Sequence, residues 1–349
     1  MRAASTCLGE HEKVKDMTWT RDESHLPPAL RGLRIPLIGS PLFIISVPDL
    51  VIAQCKAGIV GSFPALNARE GEGEPPLLEA WLKRITEELD RHNQDNPDTP
   101  AAPFAVNQIV HRSNGRLERD LEICARWNVP IWITSLGARV EVNEAAHSCG
   151  GVVLHDVINN TFAKKAIDKG ADGLIAVAAG AGGHAGQQSP LALIREIRSW
   201  FDGPLALSGA IACGESLLAA RALGADFGYM GSPFIATNEA NAQPEYKQMI
   251  VDSTAEDIVY SSLFTGVHGN YLKKSVERAG MDPDNLPSAD ASSMNFSQGS
   301  SKPKAWKEIW GSGQGVGDVH QIEPVGDLVD RIDREYRAAG ARLAAEFIG

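Results

Sequence analysis

Eight short apolar runs, separated by stretches of helical patterning, lie between residues 31 and 252. They fall at 35–39, 58–62, 103–107, 130–134, 151–154, 173–177, 204–207 and 227–230. Continuous apolar runs of this length fit strands buried on both faces, and their alternation with helices fits βα units on a parallel sheet. Helical text occupies 48–56, 76–90, 117–127, 160–169, 190–200 and 215–223, with Leu117, Leu121 and Cys124 spaced i, i+4, i+7. Gly58, Gly170 and Gly224 follow such runs, where a left-handed cap closes a helix. A Gly-Ala-Asp step between helix and strand occurs twice, at 170–172 and 224–226. Eight units over roughly 200 residues predict an α/β fold of the TIM type, a (β/α)8 barrel of about 250 residues. A smaller inserted or C-terminal α-rich segment would complete it. An open doubly wound sheet is the alternative, and the count of eight favours the barrel.

The remaining text sets an expected division of the chain. Residues 1–30 are polar and irregular and read as a flexible N-terminal arm. The barrel takes 31–252. Residues 253–322 read as an excursion on the substrate side, rich in Pro, Ser, Asp and Asn over 281–304; such a loop is either disordered or a functional lid. Residues 323–349 read as a helix packed on the outside of the barrel.

Composition narrows the function classes. A net charge of −11 with no basic block argues against nucleic acid as a partner. No apolar run approaches the roughly 20 residues that cross a bilayer, and the opening 23 residues lack the apolar core of a secretory signal. The five cysteines (Cys7, Cys55, Cys124, Cys149, Cys213) are scattered without a C-x-x-C, which fits a reducing, cytoplasmic setting and leaves no cysteine zinc site. No His-x-x-x-His pair marks a metal, so none is expected. No phosphate-binding G-x-x-x-x-G-K-[ST] loop and no G-x-S-x-G elbow is present.

In such a barrel the chemistry lies at the C-terminal ends of the strands. After the sixth run, six small residues (178–183) lead into His184. That text fits a backbone that lets a flat or phosphorylated ligand approach closely, beside an imidazole suited to proton transfer. A flexible loop carrying a surface histidine is the alternative. After the seventh and eighth runs come Ser208-Gly209-Ala210 and Met230-Gly231-Ser232-Pro233. These are the places where a phosphate site forms from backbone N–H groups and a helix N-terminus, although tight βα turns also favour glycine. Asn67, Asn107, Gln108 and Ser135 end earlier strands; singly, each is the kind of polar residue that a turn also uses. His111, Arg112, His155 and Asp156 form a second tier. The late stretch from Trp310 to Gly317 is glycine-rich but lies outside any βαβ unit.

Together these segments resemble the nitronate monooxygenase family, formerly called 2-nitropropane dioxygenase. The likeness rests on Gly180-Ala-Gly-Gly-His184-Ala-Gly186, Ser208-Gly-Ala-Ile-Ala212, Leu223-Gly-Ala-Asp226 and Met230-Gly-Ser-Pro-Phe-Ile-Ala-Thr237. Pro36-Leu-Ile-Gly-Ser-Pro41, Val106-Asn107 and Trp310-Gly-Ser-Gly-Gln314 add to it, and it covers about residues 31–345. The resemblance implies a non-covalent FMN and oxidation of alkyl nitronates, or of nitroalkanes, by O2 to carbonyl compounds and nitrite. By motif, His184 is the catalytic histidine. Ser208, Gly209, Ala210, Gly231 and Ser232 would hold the FMN phosphate side. Ser40, Pro41, Leu42 and Phe43 would lie under the flavin ring, with Asn107 at its edge and Gly182 and Gly183 behind it. Gln314 and Asn67 would meet the substrate. A homodimer fits the family, and no nucleic acid or membrane partner is implied. Three positions depart from the pattern. Ala210 replaces the second glycine of a Ser-Gly-Gly turn, Ser232-Pro233 replaces Thr-Arg, and Asp156 stands where relatives carry a basic residue. The same fold family implies an alternative, an FMN-dependent NAD(P)H:quinone or enoyl-thioester reductase. A third reading is a flavin- or phosphate-binding protein without turnover.

Overall fold

The computed structural model describes residues 22–71, 74–288 and 309–348. Eight parallel strands form the central sheet: β1 (Leu37–Gly39), β2 (Gly61–Pro64), β3 (Phe104–Ile109), β4 (Ile131–Ser135), β5 (Val152–Val157), β6 (Gly173–Val177), β8 (Leu205–Ser208) and β9 (Phe227–Met230). A two-residue strand, β7 (Gly183–His184), lies outside this sheet. The order β1-β9-β8-β6-β5-β4-β3-β2 returns to its start, because Ile38 bridges Val60 in parallel and closes the cylinder. All eight predicted strands are present. At the seam, Gly39 and Gly61 leave room for the fully buried Gln54 side chain.

The helices on the outside are α1 (Pro48–Lys56), α2 (Leu77–Asp95), α3 (Leu117–Arg126), α4 (Val140–Ser148), α5 (Asn160–Asp168), α6 (Pro190–Arg198) and α7 (Gly214–Leu223). Prolines open α1 and α6 in the first turn, where the missing N–H costs nothing. Asn159 caps α5 by accepting from the Phe162 N–H, and Gly224 ends α7 at φ +107°. Short helices α8 (Ser232–Ile235), α9 (Pro244–Val251) and α10 (Lys273–Arg278) follow. The chain finishes in α11 (Val325–Ile348), whose Leu328, Val329 and Ile332 are buried beside α7 and α1.

Side chains alternate along each strand, so one set faces the helices and the other fills the barrel. Ile38, Val60, Ala105, Ile133, Leu154, Ile175, Ala206 and Phe227 form the inner cluster. Leu26, Leu30 and Leu33 join it. The expected flexible arm therefore needs correction over 22–30: Leu26 and Leu30 are 3% and 0% exposed, and Pro28–Leu30 form a 3-10 turn. Apolar side chains at the barrel's interior hold this segment down. Residues 1–21 of that expectation lie outside the described residues, as do 289–308 of the expected excursion.

The excursion itself carries regular structure. Strands β10 (Ile258–Ser261) and β11 (Gly269–Leu272) pair antiparallel, and β11 pairs in turn with β7. This small sheet brings the segment after the barrel onto the histidine-bearing loop.

Candidate active site

Two residues beyond each of the eight inner core positions stand Ser40, Ser62, Asn107, Ser135, Asp156, Val177, Ser208 and Tyr229. The alternation that fills the barrel with apolar side chains thus ends in a mostly polar ring at the C-terminal mouth. Ser62 turns back to donate to the Gly39 carbonyl. The other seven line one cavity of ≈ 280 Å³. Its further walls are the 40–43 turn, the 180–184 loop, the turns at 208–212 and 231–232, and the 309–313 segment.

The small-residue loop after β6 is a rigid shelf. Asn270 Nδ2 donates to the Ala181 carbonyl at 2.6 Å, and the Gly180 carbonyl accepts from the Gln314 N–H at 2.9 Å and the Ala210 N–H at 3.3 Å. A Cβ at Gly182 would lie 2.8 Å from the Gly313 nitrogen, so only glycine lets the 312–313 backbone close over it. Gly183 turns at φ +65°, and a Cβ there would enter open space. On the phosphate side, Ser232 Oγ accepts from the Gly313 N–H at 2.8 Å and from Ser312 Oγ at 3.1 Å, tying the β9 turn to the late loop. The N-terminus of α7 is not part of the cavity, because the Gly214 N–H donates to Glu335 of α11 at 2.9 Å.

Of the predicted site residues, His184, Ser40, Pro41, Leu42, Phe43, Asn107, Gly182, Gly183, Ser208, Gly209, Ala210, Gly231 and Ser232 all line this cavity. Two do not. Asn67 accepts from the Ile44 N–H at 2.8 Å and donates to the carbonyls of Leu42 (2.9 Å) and Ser46 (2.8 Å). Its amide is consumed by the backbone of the 42–46 turn and does not reach a substrate. Gln314 is exposed on a 3-10 turn beside Gly180, outside the lining.

The electrostatics follow from burial. His184 is pushed down to about 4, so its imidazole is neutral near pH 7. Its Nε2 lies 3.0 Å from Thr265 Oγ1. Burial raises Asp156 to about 6 against the pull of the Ser135 hydroxyl and the Leu136 N–H. Asn107 Nδ2 donates to Ser135 Oγ at 2.8 Å, linking the two strands. Burial also raises the Tyr229 phenol well above its ordinary range, helped by the Asp156 charge and opposed by a hydrogen bond with Ser40. Sequence reasoning missed Tyr229, Thr265 and Asn270. The first was legible as the position two beyond Phe227; the others had no local signal, because they reach the site through the small sheet.

Backbone strain gathers here too. Leu136 (φ +62°) and Ala210 (φ +54°) line the cavity, and Ile44 (φ +68°) sits between the lining residues Phe43 and Ile45. Left-handed backbone at non-glycine residues persists where surrounding structure enforces it, and it clusters at functional sites.

The residues suit a flavin. The slot between the 40–43 turn and the side-chain-free shelf accepts a flat ring, and Gly183 leaves space for it. The 208–210 and 231–232 turns then lie where a phosphate would reach. No lysine or arginine is among the described lining residues, so backbone N–H groups and Ser232 would hold that phosphate. Among the described residues no His/Cys/Asp/Glu cluster could hold a metal, and no helix is long and apolar enough to cross a membrane.

A closed (β/α)8 barrel with a flavin-shaped cleft and a neutral imidazole at its C-terminal mouth defines an oxidoreductase of the flavin-barrel class. The nitronate monooxygenase family profile matches residues 76–335, and the chain belongs to that family. A nitronate monooxygenase from Neurospora crassa is 26% identical over 347 residues, covering 88% of this chain and 91% of the relative. An octahydro-indene-carboxyl-CoA dehydrogenase from Rhodococcus jostii is 24% identical over 269 residues, covering 77% and 71%. The crystal structure of a nitroalkane oxidase from Streptomyces ansochromogenes superposes with a TM-score of 0.72 at 22% identity, over 89% of this chain and 98% of that one.

Proposed function

We propose that the protein binds FMN and oxidises alkyl nitronates, or nitroalkanes, with O2 to carbonyl compounds and nitrite. The observation that carries this reading is the neutral His184 imidazole on the cavity wall, at the end of the glycine shelf. When bound, the flavin supplies the redox chemistry between substrate and oxygen. The chain supplies the rest. Leu42, Phe43, Gly182 and Gly183 line the part of the cavity where the ring would sit. A nitronate would pack beside the His184 ring on the cavity wall. With a neutral nitroalkane, the unprotonated ring nitrogen of His184 takes the α-proton. A neutral imidazole can act as this base at pH 7, and an imidazolium could not. Exchanging His184→Asn is expected to lower turnover by about 10²–10⁴-fold with the flavin still bound. Unchanged turnover would remove the assignment.

The relationship to a carboxyl-CoA dehydrogenase supports a second reading, an FMN-dependent enoyl-thioester or NAD(P)H:quinone reductase. Anaerobic mixing with NADH or NADPH separates the two. Fast flavin bleaching favours the reductase, and slow bleaching with rapid nitrite release from a nitronate in air favours the monooxygenase.

A further inference from the structure

We propose that Thr265, in the connection between β10 and β11, is a positioning residue that fixes His184 as its Nε2–H tautomer and so makes Nδ1 the proton-accepting nitrogen. The argument is a proton count. The threonine hydroxyl has one proton to donate and two lone pairs. Thr265 Oγ1 lies 2.9 Å from the Val267 carbonyl oxygen, which can only accept. The hydroxyl proton is therefore spent on Val267. The Val267 N–H, 3.3 Å away, also points its hydrogen at Oγ1. The remaining approach, His184 Nε2 at 3.0 Å, is a hydrogen bond only if the nitrogen carries the proton. The imidazole is neutral, so a proton on Nε2 leaves Nδ1 with its lone pair.

The surroundings hold this arrangement. His184 pairs with Gly269 and Gly183 with Asn270 across the small sheet, fixing the backbone that carries the ring. On the far side Tyr260 donates to the Ala185 carbonyl at 2.9 Å and stacks on His268 at 5.0 Å. The Ala185 N–H donates to the His268 carbonyl at 3.2 Å. Thr265 is 8% exposed, so water does not compete well for its hydroxyl. Thr265 thereby acts on the chemistry without itself lining the cavity: it sets which nitrogen of His184 is basic.

The inference rests on the reading of His184 as a base, and its test separates the two. The full chain, labelled with 15N-histidine, is examined by NMR that correlates ring protons with ring nitrogens. The His184 signal is the one lost in His184→Asn. The wild type is expected to show Nε2–H. Thr265→Val, which keeps the shape and removes the acceptor, is expected to lose that preference, and Thr265→Ser to restore it. With a neutral nitroalkane, Thr265→Val should lower kcat about tenfold, with KM nearly unchanged and the serine variant close to wild type. If Thr265→Val does not fold, the wild-type and serine spectra decide. A wild-type Nδ1–H tautomer, or a valine variant with the wild-type tautomer, overturns the proposal. Undiminished turnover in His184→Asn would instead sink the functional reading and leave the tautomer assignment standing.

Discussion

Ala210 adopts φ +54°, in a turn where the backbone is pinned from two sides. Its N–H reaches the Gly180 carbonyl at 3.3 Å, and a Cβ on Gly315 would lie 3.0 Å from its carbonyl carbon. An L-residue in the left-handed region loses roughly 1–2 kcal/mol to the clash of its own Cβ. Glycine would relieve that clash but would give up about 0.4–1 kcal/mol through the greater freedom of its unfolded chain. The difference predicts that Ala210→Gly stabilises the fold by about 0.5–1 kcal/mol, read from the midpoint of chemical denaturation. A midpoint that stays put or falls would show that the turn relaxes around alanine at no cost. The turn faces the cavity where a phosphate would sit. The same variant therefore tests whether the methyl group limits cofactor access, through an FMN affinity that rises along with stability.

At the scale of elements, the 42–46 turn shows why a residue can be read correctly as polar and near the site yet be assigned the wrong task. Asn67 follows β2 in a 3-10 turn, and its amide makes three hydrogen bonds to the neighbouring loop, including one from the strained Ile44. Ser46 completes the turn by accepting from the Leu42 N–H at 2.9 Å. Asn67→Ala is expected to destabilise the protein by about 1–3 kcal/mol and to weaken FMN binding, because Leu42 and Phe43 lose their support. Titration of the flavin into the variant checks this; an affinity equal to wild type would mean the turn holds without its clamp. The barrel strands were legible because a strand buried on both faces must be apolar along its length, as 173–177 and 227–230 are. The C-terminal ends of β2, β3, β4, β5 and β8 run further than expected. In β5, for example, the ladder continues through His155 and Asp156, where polarity mimics a loop. Helix α4 escaped notice because only Val142, Asn143 and Ala146 are buried in it, too thin an apolar stripe to register. The small sheet left no local trace: β7 has two residues, and its partner lies some 85 positions away in sequence, a pairing that only the closed barrel brings about.

For the whole molecule, folding places three titratable side chains from the strand ends and the loop that follows them in conflict with acid. His155, whose Nδ1 lies 2.6 Å from Thr134 Oγ1, and His184 are both pushed down to about 4 by burial. Asp156 is pushed up to about 6. As the pH falls from 6.5 to 4, the unfolded chain takes a proton on each histidine and the folded one does not, so both histidines withdraw stability across that window. Asp156 acts in the opposite sense: between pH 6 and 4 the folded state holds a proton that the unfolded carboxylate releases, so acid favours folding through this group. Two histidines against one carboxyl leave a net excess of about one proton in the unfolded state. That corresponds to about 1.4 kcal/mol per pH unit. Stability should therefore fall by about 2 kcal/mol between pH 6 and 4.5, measured by denaturant titration at each pH. Asp156→Asn removes the opposing group. It should raise stability at pH 7, where the buried carboxylate is charged, and steepen the loss on acidification. A variant no more stable than wild type at pH 7, or one with a shallower acid limb, would mean that Asp156 keeps its ordinary acidity in the folded barrel and that the polar ring at the mouth is more hydrated than its burial implies.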